Sequence, residues 1–232
     1  MDASVVQEPT ARLAWSQIVI RGPQGEQFLQ GQLSQDLATV GRDGTWSLLL
    51  RPDSVVITSG HVRRDDEGFV MTLPRALGDA AMARLRRFRL RVDCTMSLQE
   101  CDEGPFETVL DQVEAGWPGV GEFAADLAPQ SFGTSFVGNA VSFTKGCYTG
   151  QELVSRLDAR GSSVPWRLVR VHGPDVRRID ELLNSKGPQG PQGATTLVRR
   201  DDGVVALGFA HRSLLSDGAL EGVVDVAVES IA

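Results

Sequence analysis

One short stretch of the chain, residues 142–152, concentrates side chains that can do chemistry. It carries an ammonium, a thiol, a phenol, an amide and a carboxylate on Lys145, Cys147, Tyr148, Gln151 and Glu152. Two glycines lie between them and allow backbone conformations that other residues avoid. We therefore predict a loop through Tyr148 and a helix that begins near residue 150. The Cys147 thiol would then lie just ahead of a helix N-terminus, where the helix dipole and the Lys145 charge favour a thiolate.

Cys147 has three interpretations on sequence alone. A free cysteine often packs as a small hydrophobic residue, but the neighbouring glycines, Lys145 and the predicted helix start favour a reactive or contact thiol. A cysteine hydrolase would need a base within hydrogen-bond reach of the sulfur. The three histidines, His61, His172 and His211, are distant in sequence and lie outside any motif.

The other polar residues of this stretch also have structural interpretations. Glu152 has the spacing of a helix capping box with Thr149. Arg156 follows Glu152 by four residues, which predicts an ion pair on one helix face. Tyr148 is the only tyrosine in the chain and suits either a stacking platform or an amphipathic rim.

The net charge of the chain indicates which classes of binding partner to expect. The 232 residues carry a net charge of −7, so no direct nucleic-acid partner is expected. Five arginines between residues 84 and 91 nevertheless form a local cationic cluster. We favour a solvated helix end for this cluster, with a phosphate or RNA contact as the alternative.

Cysteine usage and hydropathy indicate a cytoplasmic protein. The three cysteines show no C-x-x-C spacing and no nearby histidine, so we expect neither a disulfide framework nor a metal site. Free thiols are typical of a reducing cytosol. The first 20 residues do not resemble a signal peptide, and no apolar run approaches the length of a membrane span.

Hydrophobic periodicity predicts an α+β fold in two parts, residues 1–161 and residues 162–232. Within the first part, residues 45–98 predict a ferredoxin-like unit with a helix over 74–88. A preceding helix is predicted over 24–37, with Gln32 and Asp36 one turn apart on its solvated side. Residues 122–137 lack periodicity and are predicted to be mostly loop. The second part predicts a small all-β unit, a barrel or a sandwich.

Four motifs in order resemble one known family. The segment K-G-C-Y-T-G-Q-E at residues 145–152, followed by Arg156 and an Arg-Gly pair, resembles the signature of the YgfZ family of folate-binding proteins. These proteins are relatives of the glycine-cleavage T-protein, an aminomethyltransferase. Residues 28–37, 114–118 and 128–130 resemble three further family motifs.

This resemblance implies a T-protein-like ring of domains around a central tetrahydrofolate pocket, with a C-terminal β-barrel. It also implies a role in making or repairing iron–sulfur enzymes, including one that thiolates tRNA. The partners would be iron–sulfur client enzymes or assembly factors. Lys145 and Cys147 would form the functional centre, with their chemical role unassigned. We assign the walls of the tetrahydrofolate pocket to Gln32, Asp36, Tyr148, Gln151, Glu152 and Arg156.

The sequence also departs from the T-protein pattern. T-proteins carry an acidic residue that acts on the folate amine, whereas residues 55–60 contain no carboxylate. Gln112 stands where the YgfZ family often has an arginine. We therefore predict an accessory protein without independent turnover. A folate-dependent aminomethyltransferase and a cysteine-based hydrolase are the alternatives.

Overall fold

The structure is a computed structural model that describes residues 5–161, 163–184, 190–191, 193–216 and 227–230. Five strands and two helices build the first half of the chain. In chain order they are β1 (Trp15–Arg21), α1 (Gly25–Gln30), β2 (Thr45–Leu50), β3 (Val56–Asp65), β4 (Gly68–Pro74), α2 (Gly78–Phe88) and β5 (Thr95–Cys101). A 3-10 turn at Arg75–Leu77 leads into α2.

The five strands form one antiparallel sheet in the order β2-β3-β4-β1-β5. Without β2, the order β3-β4-β1-β5 and the positions of α1 and α2 match a ferredoxin-like βαββαβ unit. The central strand β1 lies before residue 45, so this sheet extends beyond the predicted 45–98 unit. The domain boundaries themselves stay predictions.

The two faces of this sheet pack against different elements, because successive side chains of a strand point to opposite faces. One face packs on α1 and α2 through a core that includes Ile18, Ile20 and Met71. The opposite face, which includes Leu48 and Leu50, packs against short helices after residue 108 and against the second half of the chain. This second face carries the cavity described below.

Residues 108–161 form a series of short helices. These are α3 (Val109–Glu114), α4 (Val120–Phe123), α5 (Thr134–Ala140) and α6 (Gln151–Ala159), with a 3-10 turn at Pro129–Phe132. The prediction of mostly loop over 122–137 is therefore wrong. Helices of four to seven residues are too short to show a helical period, and burial of Phe123, Phe132 and Phe136 against one another stabilises them instead.

The helix predicted over 24–37 ends at Gln30. Beyond it, the backbone bonds to distant segments rather than to itself. Leu33 forms a bridge with Leu49 of β2, and the carbonyls of Gly31 and Ser34 accept hydrogen bonds from the backbone of residues 149 and 142. Tertiary contacts therefore override the helical period in this segment.

The described residues of the second half of the chain form four strands and two helices: β6 (Trp166–Gly173), α7 (Val176–Leu183), β7 (Gly193–Arg200), β8 (Gly203–His211), α8 (Arg212–Ser216) and β9 (Ala227–Ser230). The strands form an antiparallel sheet in the order β7-β8-β6-β9. The α+β class is thus confirmed, while the closed barrel stays a prediction. Within the described residues, no helix has the length and apolar character needed to cross a membrane.

Candidate functional site

Lys145 lies inside the protein and binds the loop that follows α1. Its Nζ donates to the backbone carbonyls of Gln30, Leu33 and Gln35, each at 2.8 Å. The side-chain oxygen of Gln30 is a fourth neighbour at 3.2 Å. Burial lowers the pKa of Lys145 to about 8, and the charge of Asp36 opposes that shift. The ammonium therefore acts as a cation bound by backbone oxygens, 110 or more residues away in sequence.

Two of the predicted pocket residues belong to the loop that Lys145 binds. Asp36 accepts hydrogen bonds from the Gln30 amide at 2.6 Å and from the backbone N–H of Ala38 at 3.0 Å. These bonds, the first being the larger cause, lower the pKa of Asp36. Gln32 accepts a hydrogen bond from Arg84 of α2 at 3.2 Å. The carboxylate and both amides thus hold the loop in its shape.

Tyr148 is buried beside this cluster. Its ring centroid lies 5.4 Å from the Lys145 Nζ, a cation–π contact. Burial raises the pKa of Tyr148 to about 12. Within the described structure the hydroxyl is buried and has no hydrogen-bond partner. Tyr148 is therefore part of the buried core and not an exposed rim residue.

The helix predicted to begin near residue 150 is confirmed as α6. Gly150 precedes it in the left-handed conformation with φ of 85°, and a Cβ there would lie 2.8 Å from the Arg51 carbonyl, so glycine is required. The predicted capping box is wrong, since no side chain caps this helix. Glu152 instead forms the predicted ion pair with Arg156, and both side chains face solvent. Gln151 is half-buried at the first helical position.

The Cys147 thiol is exposed. Two large apolar side chains near it in sequence are also exposed, Phe143 at 41% and Leu153 at 36%. The loop thus turns Lys145 and Tyr148 inward and Cys147 outward. Burial as a structural thiol is excluded for Cys147, and a reactive or contact thiol agrees with this placement.

We expect Cys147 to react first when the folded protein meets a thiol reagent such as Ellman's reagent. Cys94 is only 3% exposed, and burial raises the pKa of its thiol; Cys101 is half-buried and its sulfur contacts the Glu103 carbonyl. Since the exposed thiolate is the reacting species, Cys147→Ser should abolish the fast phase. Cys101→Ser serves as the control and should retain it. A fast phase that survives in Cys147→Ser would contradict the exposed placement.

An open pocket of about 490 Å³, which we call the cavity, lies on the second face of the first sheet and faces solvent on one side. Its floor is a row of side chains on neighbouring strands, in which Trp46 pairs with His61, His61 with Thr72, and Thr72 with Gln17. The loop at residues 103–106 and Arg63 complete the lining. Cavities of roughly 300–1,000 Å³ accommodate small organic ligands and cofactors.

Aromatic rings and charged groups share the walls of this cavity. The Trp46 and Phe106 rings are stacked with centroids 5.9 Å apart, and His61 meets Trp46 edge-on at 5.5 Å. Burial, and secondarily the charge of Arg63, lower the pKa of His61, which favours the neutral imidazole. Arg63 and Glu103 form no ion pair within the described residues, so both charges are available to a ligand.

The loop at 103–106 is fixed on Trp15. The indole N–H of Trp15 donates to the Phe106 carbonyl at 3.1 Å. Gly104 packs so closely on the same indole that a Cβ would lie 2.3 Å from its ring atoms. A larger residue at this position would displace the loop, so Gly104 keeps the cavity wall in place.

Trp117 lies beside the cavity and contacts residues 55–60, the stretch in which T-proteins are expected to carry an acidic residue. Its indole N–H donates to the Ser59 hydroxyl at 3.1 Å, and its ring packs on Trp46 with centroids 4.2 Å apart. The hydroxyl of the adjacent Thr58 bonds to a backbone carbonyl. Residues 55–60 therefore offer the hydroxyl groups of Thr58 and Ser59, with the buried indole of Trp117 packed against them. They offer no carboxylate to act on an amine. Gln112, at the position of the missing arginine, is also buried.

The structure separates the predicted site residues into groups. Lys145, Asp36 and Tyr148 lie together, with Gln32 in the adjoining loop, whereas Glu152 and Arg156 face solvent and Gln151 begins α6. None of these residues lines the described cavity, and their folate contacts stay predictions. Sequence reasoning missed the cavity residues Trp46, His61, Arg63 and Phe106. His61 and Arg63 alternate in the sequence, which places them on one face of a strand, but this spacing alone does not indicate a cavity.

Comparison with solved structures defines the class of fold. The chain resembles the glycine cleavage system aminomethyltransferase T from Bartonella henselae with a TM-score of 0.56 and 14% sequence identity. The likeness covers 96% of this chain and 86% of that chain. The protein therefore has a T-protein-like fold; an identity this low carries no information about activity.

The sequence itself points to a narrower family. It is 44% identical over 52 residues to the tRNA-modifying protein YgfZ of Yersinia pestis (strain Pestoides F) and of Yersinia pseudotuberculosis serotype O:1b (strain IP 31758). The match covers 22% of this chain and spans 16% of the length of each relative. No protein-family model matches the chain. The chain is thus T-protein-like in fold and YgfZ-like in part of its sequence, which confirms the resemblance predicted from its motifs.

Proposed function

We propose that this protein is a cytoplasmic, tetrahydrofolate-binding accessory protein that supports the assembly or repair of iron–sulfur enzymes and thereby affects tRNA modification. Its partners would be iron–sulfur client enzymes or assembly factors, and it would have no turnover of its own. The observation that carries the proposal is the cavity with aromatic and charged walls on the first sheet of a T-protein-like fold.

The walls of the cavity match the two chemically different ends of a reduced folate. Trp46 and Phe106 offer apolar ring surface for a flat pterin. The Glu103 carboxylate can accept hydrogen bonds from an amino group, and Arg63 can pair with the carboxylates of the glutamate tail. Bound folate would supply a one-carbon carrier or a redox-active pterin, while these residues bind and orient it.

The exposed thiol supports the part of the proposal that concerns client proteins. Cys147 lies on the surface, in a segment that also exposes Phe143 and Leu153. Contiguous exposed apolar surface is typical of protein contact sites, and Phe143 and Leu153 would contribute to such a surface around the thiol. The buried Lys145 attaches the segment that carries the thiol to the loop after α1, which gives both signature residues a place in one function.

The two alternative activities receive less support from the geometry. Aminomethyl transfer lacks a carboxylate at residues 55–60, where Trp117 and Ser59 bond to each other. Hydrolysis would need a base beside Cys147. Two of the three histidines pack on tryptophan rings, His61 on Trp46 and His211 on Trp166.

Titration with 5-formyltetrahydrofolate tests the cofactor, with the melting temperature as the measurement. A ligand that binds only the folded state stabilises it by about 2.7 kcal/mol at one hundred times its Kd. We expect a rise of roughly 5–10 °C for the wild type and about tenfold weaker binding for Arg63→Gln. Arg42→Gln, which removes an exposed arginine paired with Asp66, is the matched control and should bind normally. No shift in the wild type at saturating folate would refute the cofactor assignment.

Two further measurements separate an accessory protein from an enzyme. The purified protein should release no methylene-folate from an aminomethyl donor, whereas a transferase would. In cells that lack the protein, wild type should restore thiolated nucleosides in tRNA and Cys147→Ala should not. Full restoration by Cys147→Ala would remove the thiol from the proposed function.

A further inference from the structure

The end of α2 carries a cluster of arginines, which we call the arginine patch: Arg84, Arg86, Arg87, Arg89 and Arg91. The last four are exposed, and Arg84 is half-buried. The patch lies at the end of a helix whose buried face, with Ala81, Met82 and Leu85, packs on the first sheet. The cavity lies on the opposite face of that sheet, so the patch is separate from the proposed folate site.

The arginine patch has no carboxylate partners within the described residues. Elsewhere, many arginines of this acidic chain are paired, as Arg51 is with Asp53 and Asp126, and Arg200 with Glu114 and Asp202. The charge of Arg87 contributes, after burial, to the lowered pKa of Arg84. The positive charges of Arg84 and Arg87 therefore repel each other, and the end of a helix dipole compensates only about half of one charge.

An exposed aromatic ring lies within the arginine patch. The Arg84 guanidinium lies 3.8 Å from the centroid of the Phe88 ring, and Phe88 is 39% exposed. Arginine forks match the oxygen geometry of phosphate groups. An exposed aromatic ring between cations provides a surface on which an unpaired base stacks. Arginines around an exposed aromatic ring therefore suit a ligand that has both phosphates and unpaired bases, such as single-stranded RNA, better than a free phosphate ion.

We propose that the arginine patch binds the phosphodiester backbone of an RNA, with Phe88 contacting a base in an unpaired loop. The net charge of −7 does not prevent this contact, because charges more than about 8 Å away are largely screened at physiological salt. This inference replaces the solvated helix end and the absence of a nucleic-acid partner that the sequence favoured. It does not depend on folate binding.

Fluorescence anisotropy with a labelled, unmodified tRNA transcript tests the proposal. The salt dependence of binding reports the number of phosphate contacts. The logarithm of the association constant falls linearly with the logarithm of the salt concentration, with a slope of about 0.7–0.9 for each phosphate neutralised. Four contacts predict roughly 50- to 150-fold weaker binding when salt rises from about 50 to 200 mM. The variant with Arg86, Arg87, Arg89 and Arg91 all changed to Gln should lose this binding and most of the slope.

A control with the same change in net charge separates the arginine patch from general electrostatics. It changes four exposed, ion-paired arginines to Gln: Arg12, Arg42, Arg177 and Arg178. This control should bind the transcript like the wild type. Equal losses in both quadruple variants, or no binding by the wild type at low salt, would overturn the proposal. Melting curves of all variants exclude unfolding as the cause.

A second probe distinguishes RNA from any other polyanion. Heparin carries negative charge but no bases, so Phe88→Ala should weaken binding of the transcript about tenfold and leave heparin binding unchanged. Poly-glutamate should compete poorly with the transcript. Equal weakening for both probes, or effective competition by poly-glutamate, would indicate an acidic protein partner and contradict the RNA assignment.

Discussion

Replacing Lys145 with methionine is expected to lower the melting temperature by roughly 10 °C. Methionine fills similar space but cannot donate the hydrogen bonds that Lys145 Nζ makes to three backbone carbonyls. A buried carbonyl without a donor destabilises a protein by about 1–3 kcal/mol, so we expect a total loss of about 3–5 kcal/mol, with partial relief from water. For a chain of this size, each kcal/mol corresponds to about 2–4 °C.

The control for this variant lies in the same signature segment. Arg156→Met also exchanges a cation for methionine, but Arg156 is exposed and pairs only with the exposed Glu152. Such surface pairs contribute little, so its melting temperature should match the wild type. If Lys145→Met melts like Arg156→Met, the buried ammonium does not hold the loop, and a direct chemical role for Lys145 gains support.

Replacing Trp117 with alanine is expected to have an effect of similar size. Trp117 is 9% exposed and packs between Trp46 and Phe136, with ring centroids 4.2 and 5.0 Å away. Removing a buried tryptophan side chain leaves a cavity and destabilises a protein by about 3–5 kcal/mol. The melting temperature should therefore fall by roughly 10 °C, as measured by thermal unfolding with circular dichroism.

The variant Trp117→Phe separates ring packing from the hydrogen bond to Ser59. It keeps an aromatic ring between Trp46 and Phe136, and it loses the N–H that donates to the Ser59 hydroxyl together with the extra ring volume of the indole. We expect a loss of about 1–2 kcal/mol, clearly smaller than for alanine. Equal losses for phenylalanine and alanine would show that the hydrogen bond, and not the packing, is the main contribution at this position.

The sequence was informative wherever local rules decide structure. The start of α6 followed from the glycine before it, and the Glu152–Arg156 pair followed from helical spacing. The helix predicted over 74–88 from hydrophobic periodicity is present as the 3-10 turn at Arg75–Leu77 followed by α2. The same rules failed after Gln30, because the next carbonyls accept hydrogen bonds from Lys145 and from the backbone of the signature segment.

Local sequence rules could not have revealed the cavity. Trp46, His61, Thr72 and Gln17 come from four strands, and only the pairing register places them in one row. Each strand carries only one of these residues, and an isolated His or Gln in a strand is common. The loop at 103–106 reaches the row only because Trp15 holds it.

By itself, the sequence determined the α+β class, the resemblance to the YgfZ family and the importance of residues 145–152, since these depend on local patterns and on residue order. The tertiary structure decided that Lys145 faces inward, that Cys147 faces outward, and that a cavity forms elsewhere on the first sheet. The physical reason is that burial and hydrogen bonding depend on segments far apart in sequence. The carbonyls that bind Lys145 lie more than 100 residues before it, and no local pattern encodes that distance.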